Sequence, residues 1–393
     1  MISWAEFGKN GAFVRQGQDV YFYCKLAQVE ESKTSQVHLF WQYFFSPPFQ
    51  NDQGHQSNLA HLDRGPGPIL SVGFQNKYKL TVQEALEWLS NQEALLTSED
   101  RIIKWKKRKK NISTHVELAQ NQSKDFEYQV EVIQEKINKG EIDKAVAVDL
   151  TWKPWNTEEP FDEFEKIKMI QNVLHSPDSV WPYGFWTESC GGGPYGVIGV
   201  TPEVLFELND KELETMALAG TSKNSNVDKN ELVQSQKNLK EHHWVVKNLN
   251  QMLSHFGRVT QSDIQVIGVG LLSHLKTNFK VTGVLATPKD LIKALHPTAA
   301  LGVFPKDRGY QWLKDISKNS EYRMAFGAPI AFNLNATHTL CLVQIRNIYW
   351  TNQGWCVGAG AGIVTDSQFL DEWEEIQLKK KFTLDLIFKP RGV

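Results

Sequence analysis

Apolar residues along this chain recur at two spacings, and the change from one to the other divides it. Roughly the first 95 residues alternate aromatic and polar positions, as in VYFYCKL and HLFWQYFF, a period of two that predicts strands. The segments SPPF, NDQG and RGPGP interrupt that alternation as turns or loops. From about residue 125 helical and extended segments take turns. DFEYQVEVIQEKINKGEI carries apolar residues at helical spacing with a stop at Gly140, KAVAVDLTW reads as a strand, and FEKIKMIQNVL is a second helix ending before Pro177. GPYGVIGVTPEVLFEL and ETMALAGTSK read as strands turned near Asn209 and Asp210.

KEHHWVVKNLNQMLSHFG predicts a helix whose apolar face runs Val245, Leu249, Met252, Phe256 and stops at Gly257. One turn before Val245 the same stripe reaches Glu241, a carboxylate that is costly to bury without a cation. The last third predicts HLKTNFKVTG as extended, PKDLIKALHPTAALGVFP as helical, then strands APIAFNLN, THTLCLVQIRNIYW and WCVGAGAGIV, then a closing helix through DEWEEIQLKKK. In that helix Glu372, Glu375 and Lys379 share the stripe that continues into Phe382 and Leu386. Strands linked by short turns and interrupted by single long helices predict an α+β fold of large, mainly antiparallel sheets packed as a sandwich and covered by helices. We expect one body over 1–393, with a variable N-terminal portion (1–115) and a portion carrying the motifs (116–393).

Composition narrows the partners. A net charge of −2 and a pI near 6.6 give no global attraction to nucleic acid or a membrane surface. The basic run KWKKRKK, residues 104–110, has one Trp and no aromatic interleaving, so it reads as a solvated helix end or loop at the junction of two halves. Four cysteines without CxxC spacing exclude a zinc knuckle and a disulfide framework, and no long apolar run or basic leader is present; a cytoplasmic protein is expected.

The candidate chemistry rests on a few side chains. Glu241, Glu372 and Glu375 offer oxygen ligands to a hard divalent cation, magnesium by default, or carboxylates to Lys and Arg partners, or in part an exposed i, i+4 pair with Lys379. VGAGAGIV, residues 357–364, is a glycine-rich turn between strand and helix suited to a carboxylate rather than a nucleotide, since it fits neither GxxxxGK[ST] nor a full GxGxxG context. The CGGGPYG glycines turn a hairpin. Arg346 interrupts an apolar strand, which calls for an anion, substrate or glutamate. His296 is either a core histidine or a substrate contact. No HxxxH pair, GxSxG elbow or Cys/His nucleophile pattern is present.

Read in order, KGEIDKAVAV, GVTPEVLFEL, ALAGTSK, EHHWVV, HLKT, LHPTAALGVFP, RMAFGAPIAF, VQIR, GAGIV and EWEEIQLK resemble the chorismate-utilising enzymes, among them isochorismate synthase, salicylate synthase, anthranilate synthase component I and aminodeoxychorismate synthase component I. The resemblance covers roughly residues 125–388 and implies a chorismate substrate. It assigns Glu241 and Glu375, with Glu372 close by, to Mg2+; Arg346 and Lys379 to the ligand's carboxylates; and the backbone of Gly360 and Gly362, with Ala219, Gly220, Thr221, His296 and Thr298, to substrate binding. Lys144 stands where members that use water carry lysine and those that use ammonia usually carry glutamine. Ala219 stands where aminodeoxychorismate synthases commonly carry an attacking lysine. The resemblance therefore implies an isochorismate synthase: water attacks ring carbon 2 with Lys144 as base, and Glu203 as acid releases the hydroxyl at carbon 4. Salicylate synthase, which adds pyruvate elimination, is the nearest alternative, followed by the ammonia-using component I enzymes and a non-catalytic binding protein. Menaquinone and siderophore formation both remain open as destinations of the product. A monomer without a glutamine amidotransferase subunit is expected. Three departures stand out: Asp149 in place of an arginine, TPE in place of SPE, and no arginine after Thr221.

Overall fold

A computed structural model describes residues 2–26, 37–40, 69–72, 74–119, 124–155, 160–190, 193–223, 229–269, 272–316 and 326–389. The segments SPPF, NDQG and RGPGP, Gly191 and Gly192, and the first three residues of RMAFGAPIAF lie outside them. The chain opens with α1 (Trp4–Phe7), β1 (Gly11–Gln16), β2 (Asp19–Leu26), β3 (Val37–Phe40), β4 (Ile69–Val72) and β5 (Phe74–Thr81). Helices α2 (Val82–Leu96), α3 (Glu99–Ala119) and α4 (Lys124–Asn138) lead into β6 (Lys144–Pro154) and α5 (Glu163–Leu174). Next come β7 (Trp181–Cys190), β8 (Gly193–Thr201), β9 (Val204–Asn209), β10 (Glu212–Lys223), α6 (Lys229–Gln234) and α7 (Gln236–Leu253). After β11 (Arg258–Gln261), β12 (Gln265–Val269), β13 (Leu272–Thr282), α8 (Pro288–Leu295), β14 (Val303–Phe304) and α9 (Lys306–Ile316), the chain ends in β15 (Pro329–Asn333), β16 (His338–Val343), β17 (Asn347–Thr351), β18 (Gly354–Ile363) and α10 (Phe369–Phe388).

Among the described residues two sheets of nine strands form, one in the order β14-β6-β18-β17-β8-β7-β1-β2-β5 and the other β11-β13-β10-β9-β16-β15-β3-β4 with β12 beside β13. Every pairing described is antiparallel, as the short turns require. Val14, Tyr183, Val197 and Tyr349 of the first sheet pack on Ile330, Phe332, Leu340 and Leu342 of the second, which makes the sandwich. Helices α2, α3, α5 and α10 bury a separate cluster on the outer face of the first sheet; α4, α7 and α8 close a third around β6 and β10. The expected α+β architecture is present. No described helix is long and apolar enough to cross a membrane, which says nothing about β-barrels.

Five local expectations need correction. The stretch of about 95 residues read as strands ends in a helix, α2, which Thr81 and Glu84 start with a capping box. KWKKRKK lies inside α3 and not at its end: the helical period turns Trp105 and Arg108 inward with Ile112 and Val116, and Arg108 donates to Glu165 of α5 at 3.0 Å. The helix predicted through LHPTAALGVFP stops at Leu295, where Thr287 and Asp290 form a capping box at its start and His296 turns extended at its end. α7 ends at Leu253 with Ser254 as its cap, short of Gly257. The strand reading of WCVGAGAGIV holds and the turn reading of its glycines does not: residues 357–363 lie in β18, paired with β6 from Gly354↔Pro154 to Ile363↔Ala145. That unbroken ladder fixes the register around Asp149.

Candidate active site

Among the points at which the chain passes from one sheet to the other, two lie side by side, and each carries a buried charge. β8 belongs to the first sheet and β9 to the second; Pro202 and Glu203 make the step between them. β16 and β17 make the return step through Arg346, whose φ of 54° is a left-handed conformation that a non-glycine residue adopts only when its surroundings hold it there. Sequence periodicity predicts Arg346 within one strand; it sits in the break between β16 and β17. The crossovers are stitched together by Val200 N–H donating to Arg346 O at 3.0 Å and Val343 N–H donating to Glu203 O at 3.2 Å.

Both side chains face a cavity whose wall includes Glu203, Ala219, Thr221, Glu241, His274, Arg346, Gly358, Gly360, Gly362, Glu375 and Lys379. Burial pushes the Glu203 pKa up to about 7 against the pull of Lys144 and Lys379, so near neutrality this acid still holds a proton for part of the time. Burial lowers the Arg346 pKa to about 10, partly offset by Glu375, and among the described residues its Nη1 has no hydrogen-bond partner. A buried guanidinium with a free donor aimed at a cavity is a seat for an anion.

The other walls come from β10, β18, α7 and α10. In β10 a bulge at Gly220, φ 76°, lets Ala219 and Thr221 both face inward. A Cβ on Gly220 would meet Asn238 O at 2.8 Å, so α7 approaches this strand closely. The small residues of β18 leave the cavity its space: a Cβ at Gly358 would lie 2.4 Å from Leu150 Cδ2, and one at Gly362 would lie 2.0 Å from Glu241 Oε1. Gly360 uses its carbonyl, which accepts from Lys379 Nζ at 2.6 Å.

The carboxylates of α7 and α10 meet lysines. Glu241 Oε1 is 3.4 Å from Lys144 Nζ, Glu375 Oε1 is 2.5 Å from Lys379 Nζ, and Glu372 pairs with Lys237. Burial and then repulsion from Glu375 push the Glu372 pKa up to about 7, whereas Lys379, with Lys237, outweighs the effect of burial on Glu375 and holds it below the ordinary value. Three mutually repelling carboxylates on two helices have the donor chemistry of a hard dication, and two of them line the cavity. Among the described residues, however, no three His, Cys, Asp or Glu side chains are grouped as a metal site.

Lys144 is fully buried behind this wall. Its Nζ donates to Ala299 O at 2.6 Å, and burial lowers its pKa against the pull of Glu241 and Glu203. Glu203 and Lys144 thus lie within electrostatic reach of each other. Five of the anticipated residues are off the cavity wall: Lys144, Gly220, Glu372, His296 and Thr298. His296 accepts from Lys306 at its carbonyl, and Thr298 supports the loop by receiving Ala300 N–H at 3.2 Å, while the next residues, Ala300 and Leu301, reach the cavity.

Sequence reading missed two residues. His274, within HLKT, packs its Nδ1 3.2 Å from Thr221 Oγ1, and its buried Nε2, at the site, has no hydrogen-bond partner among the described residues; burial, then Arg346 and Lys379, lower its pKa to about 3, so it is neutral. Nothing in strand periodicity marks such a histidine. Lys237 precedes Glu241 by one turn on the same helix face, a spacing that does carry its signal.

Fold and cavity define an α+β protein that gathers a buried acid, a buried lysine and a buried arginine where its two sheets exchange strands. Residues 24–387 match the family described as chorismate binding enzyme, and the chain belongs to that family. Among its relatives, the isochorismate synthase MenF of Haemophilus influenzae is 29% identical over 281 residues, covering 69% of this chain and 62% of that protein. MenF of Bacillus subtilis is 32% identical over 195 residues, 47% of this chain and 41% of that one. Anthranilate synthase component 1 of Acetivibrio thermocellus is 26% identical over 306 residues, 74% of this chain and 58% of that one. The matched part of this chain thus spans less than two thirds of each relative's length. The solved structure of the menaquinone-specific isochorismate synthase MenF of Escherichia coli superposes with a TM-score of 0.65 at 18% identity, covering 98% of this chain and 90% of that one, a likeness of fold.

Proposed function

We propose that this protein is an isochorismate synthase that adds water to chorismate at ring carbon 2. The observation that supports this most is the geometry around one cavity: Glu203, a buried carboxyl with a raised pKa, and Arg346 line it, while Lys144 stands buried behind its wall, 3.4 Å from the lining Glu241 and within electrostatic reach of Glu203. The water oxygen bonds to carbon 2 while Lys144, as the neutral amine, takes its proton. The ring double bonds shift, and the hydroxyl at carbon 4 departs as water with a proton from Glu203. One water enters and one leaves, so the reaction is an isomerisation. Arg346 and Lys379 hold the ligand's carboxylates, and His274 offers a neutral ring nitrogen beside them. Mg2+, when bound by Glu241 and Glu375 with Glu372 beside them, would neutralise substrate carboxylate charge and fix its position. Water needs no ammonia supply, so this reading includes no glutamine amidotransferase subunit, and a monomer suffices.

Incubation of the pure protein with chorismate and Mg2+, followed by chromatographic identification of products, tests this. Isochorismate is the expected product. Salicylate with pyruvate would replace the synthase by its lyase relative, and anthranilate formed with ammonia would refute water as the nucleophile.

A further inference from the structure

We propose that Asp149 and Lys380 are positioning residues: their ion pair sets how α10 is turned about its axis and so holds Glu375 and Lys379 at the cavity. Asp149 lies on β6, the strand that begins with Lys144, and its register partner on β18 is Ala359, a cavity-wall residue. The Lys380 ammonium meets the Asp149 carboxylate and donates to Thr151 Oγ1 at 2.8 Å; the two charged side chains are 2% and 13% exposed. Successive helix residues point about 100° apart. The rotation that lets Lys380 reach Asp149 and Thr151 therefore turns Lys379 toward Gly360 O, 2.6 Å away, and toward Glu375.

Two consecutive lysines thus anchor one helix to two adjacent strands, Lys380 to β6 and Lys379 to β18. Apolar contacts through Ile376, Leu384 and Ile387 bury the helix but are non-directional, so they tolerate a small rotation that two hydrogen-bonded anchors do not. The pair also accounts for the acid at position 149, where the resemblance leads one to expect an arginine: the reversed charge on the strand meets a cation on the helix.

The kinetic test rests on the chorismate reading. Apolar replacement of a buried ion pair often preserves stability, so the double variant Asp149→Leu, Lys380→Met separates orientation from stability. It is expected to melt at or above the wild-type temperature while KM for chorismate rises about tenfold and kcat changes less than about threefold. The reversed pair, Asp149→Lys with Lys380→Asp, is expected to return KM to within about threefold of wild type. A wild-type KM in the apolar variant, or a folded reversed pair with KM as high as the apolar one, would overturn the proposal. If the wild-type protein itself does not turn over chorismate, the proposed function fails, and a crystal structure of the apolar variant decides the clamp. Lys379 displaced from Gly360 supports it, and Lys379 still bonded there overturns it.

Discussion

Gly362→Ala perturbs the site by one methyl group at its tightest point. The added Cβ would lie 2.0 Å from Glu241 Oε1, 2.8 Å from Glu241 Cδ and 2.7 Å from Lys144 Cε, on the line of contact between candidate ligand and candidate base. To regain ordinary van der Waals separation the carboxylate must retreat by at least about 1 Å. The Lys144–Glu241 pair, already at 3.4 Å, then opens around a lysine with no solvent exposure. Breaking a buried pair of this kind costs about 3–5 kcal/mol when no new partner is found. A misplacement of about 1 Å in a reacting constellation lowers turnover about a hundredfold. Gly360→Ala is the matched comparison, because its Cβ would meet only Val146 Cγ1 at 3.0 Å and other atoms at 3.5 Å or beyond. It is expected to cost about 1 kcal/mol. Thermal melts and kcat/KM on chorismate would be measured for both. If Gly362→Ala melts and turns over like Gly360→Ala, the Glu241 carboxylate is not required where the structure places it, and the reasoning is wrong.

Glu203→Gln is expected to lower kcat about 10²–10⁴-fold with KM little changed. Because the Glu203 pKa is raised to about 7, wild-type kcat should fall as pH rises through 7 with loss of the protonated acid. Stability follows the same sign: the carboxyl's raised pKa favours folding below its ordinary value of 4.5, an advantage lost by about 7, so the Gln variant should gain stability relative to wild type between those pH values in paired melts. Lys144→Gln should abolish water addition while circular dichroism stays native, and substantial residual isochorismate formation would remove Lys144 as the base. Chelation should abolish activity and added Mg2+ restore it, with a rise in melting temperature on Mg2+ addition that Glu375→Gln weakens; full activity in excess chelator would exclude the metal.

Much of this molecule is legible in local pattern. The stripe Glu372, Glu375, Lys379, Phe382, Leu386 reads inward from three- and four-residue steps alone, and Glu241 follows one turn before Val245 by the same rule; both helices place them so. Such spacing reports one element's face and is blind to what the face meets. It therefore gives no sign of His274, places Arg346 inside one strand when it separates two, and reads the β18 glycines both as strand and as turn, when they are strand and their small size leaves room for a cavity. His296 and Thr298, assigned by resemblance, stand behind the cavity wall formed by Ala300 and Leu301.

By itself the sequence determined the antiparallel α+β class, the inward carboxylates and the order of motifs, because periodicity and turn chemistry act over a few residues. Only the tertiary structure decided that Glu203 and Arg346 sit on adjacent sheet crossovers, that Lys144 hides behind Glu241, and that Asp149 meets Lys380. These contacts join residues far apart in the chain, and their energies depend on burial and approach distance, which are fixed only when the sheets and helices pack together.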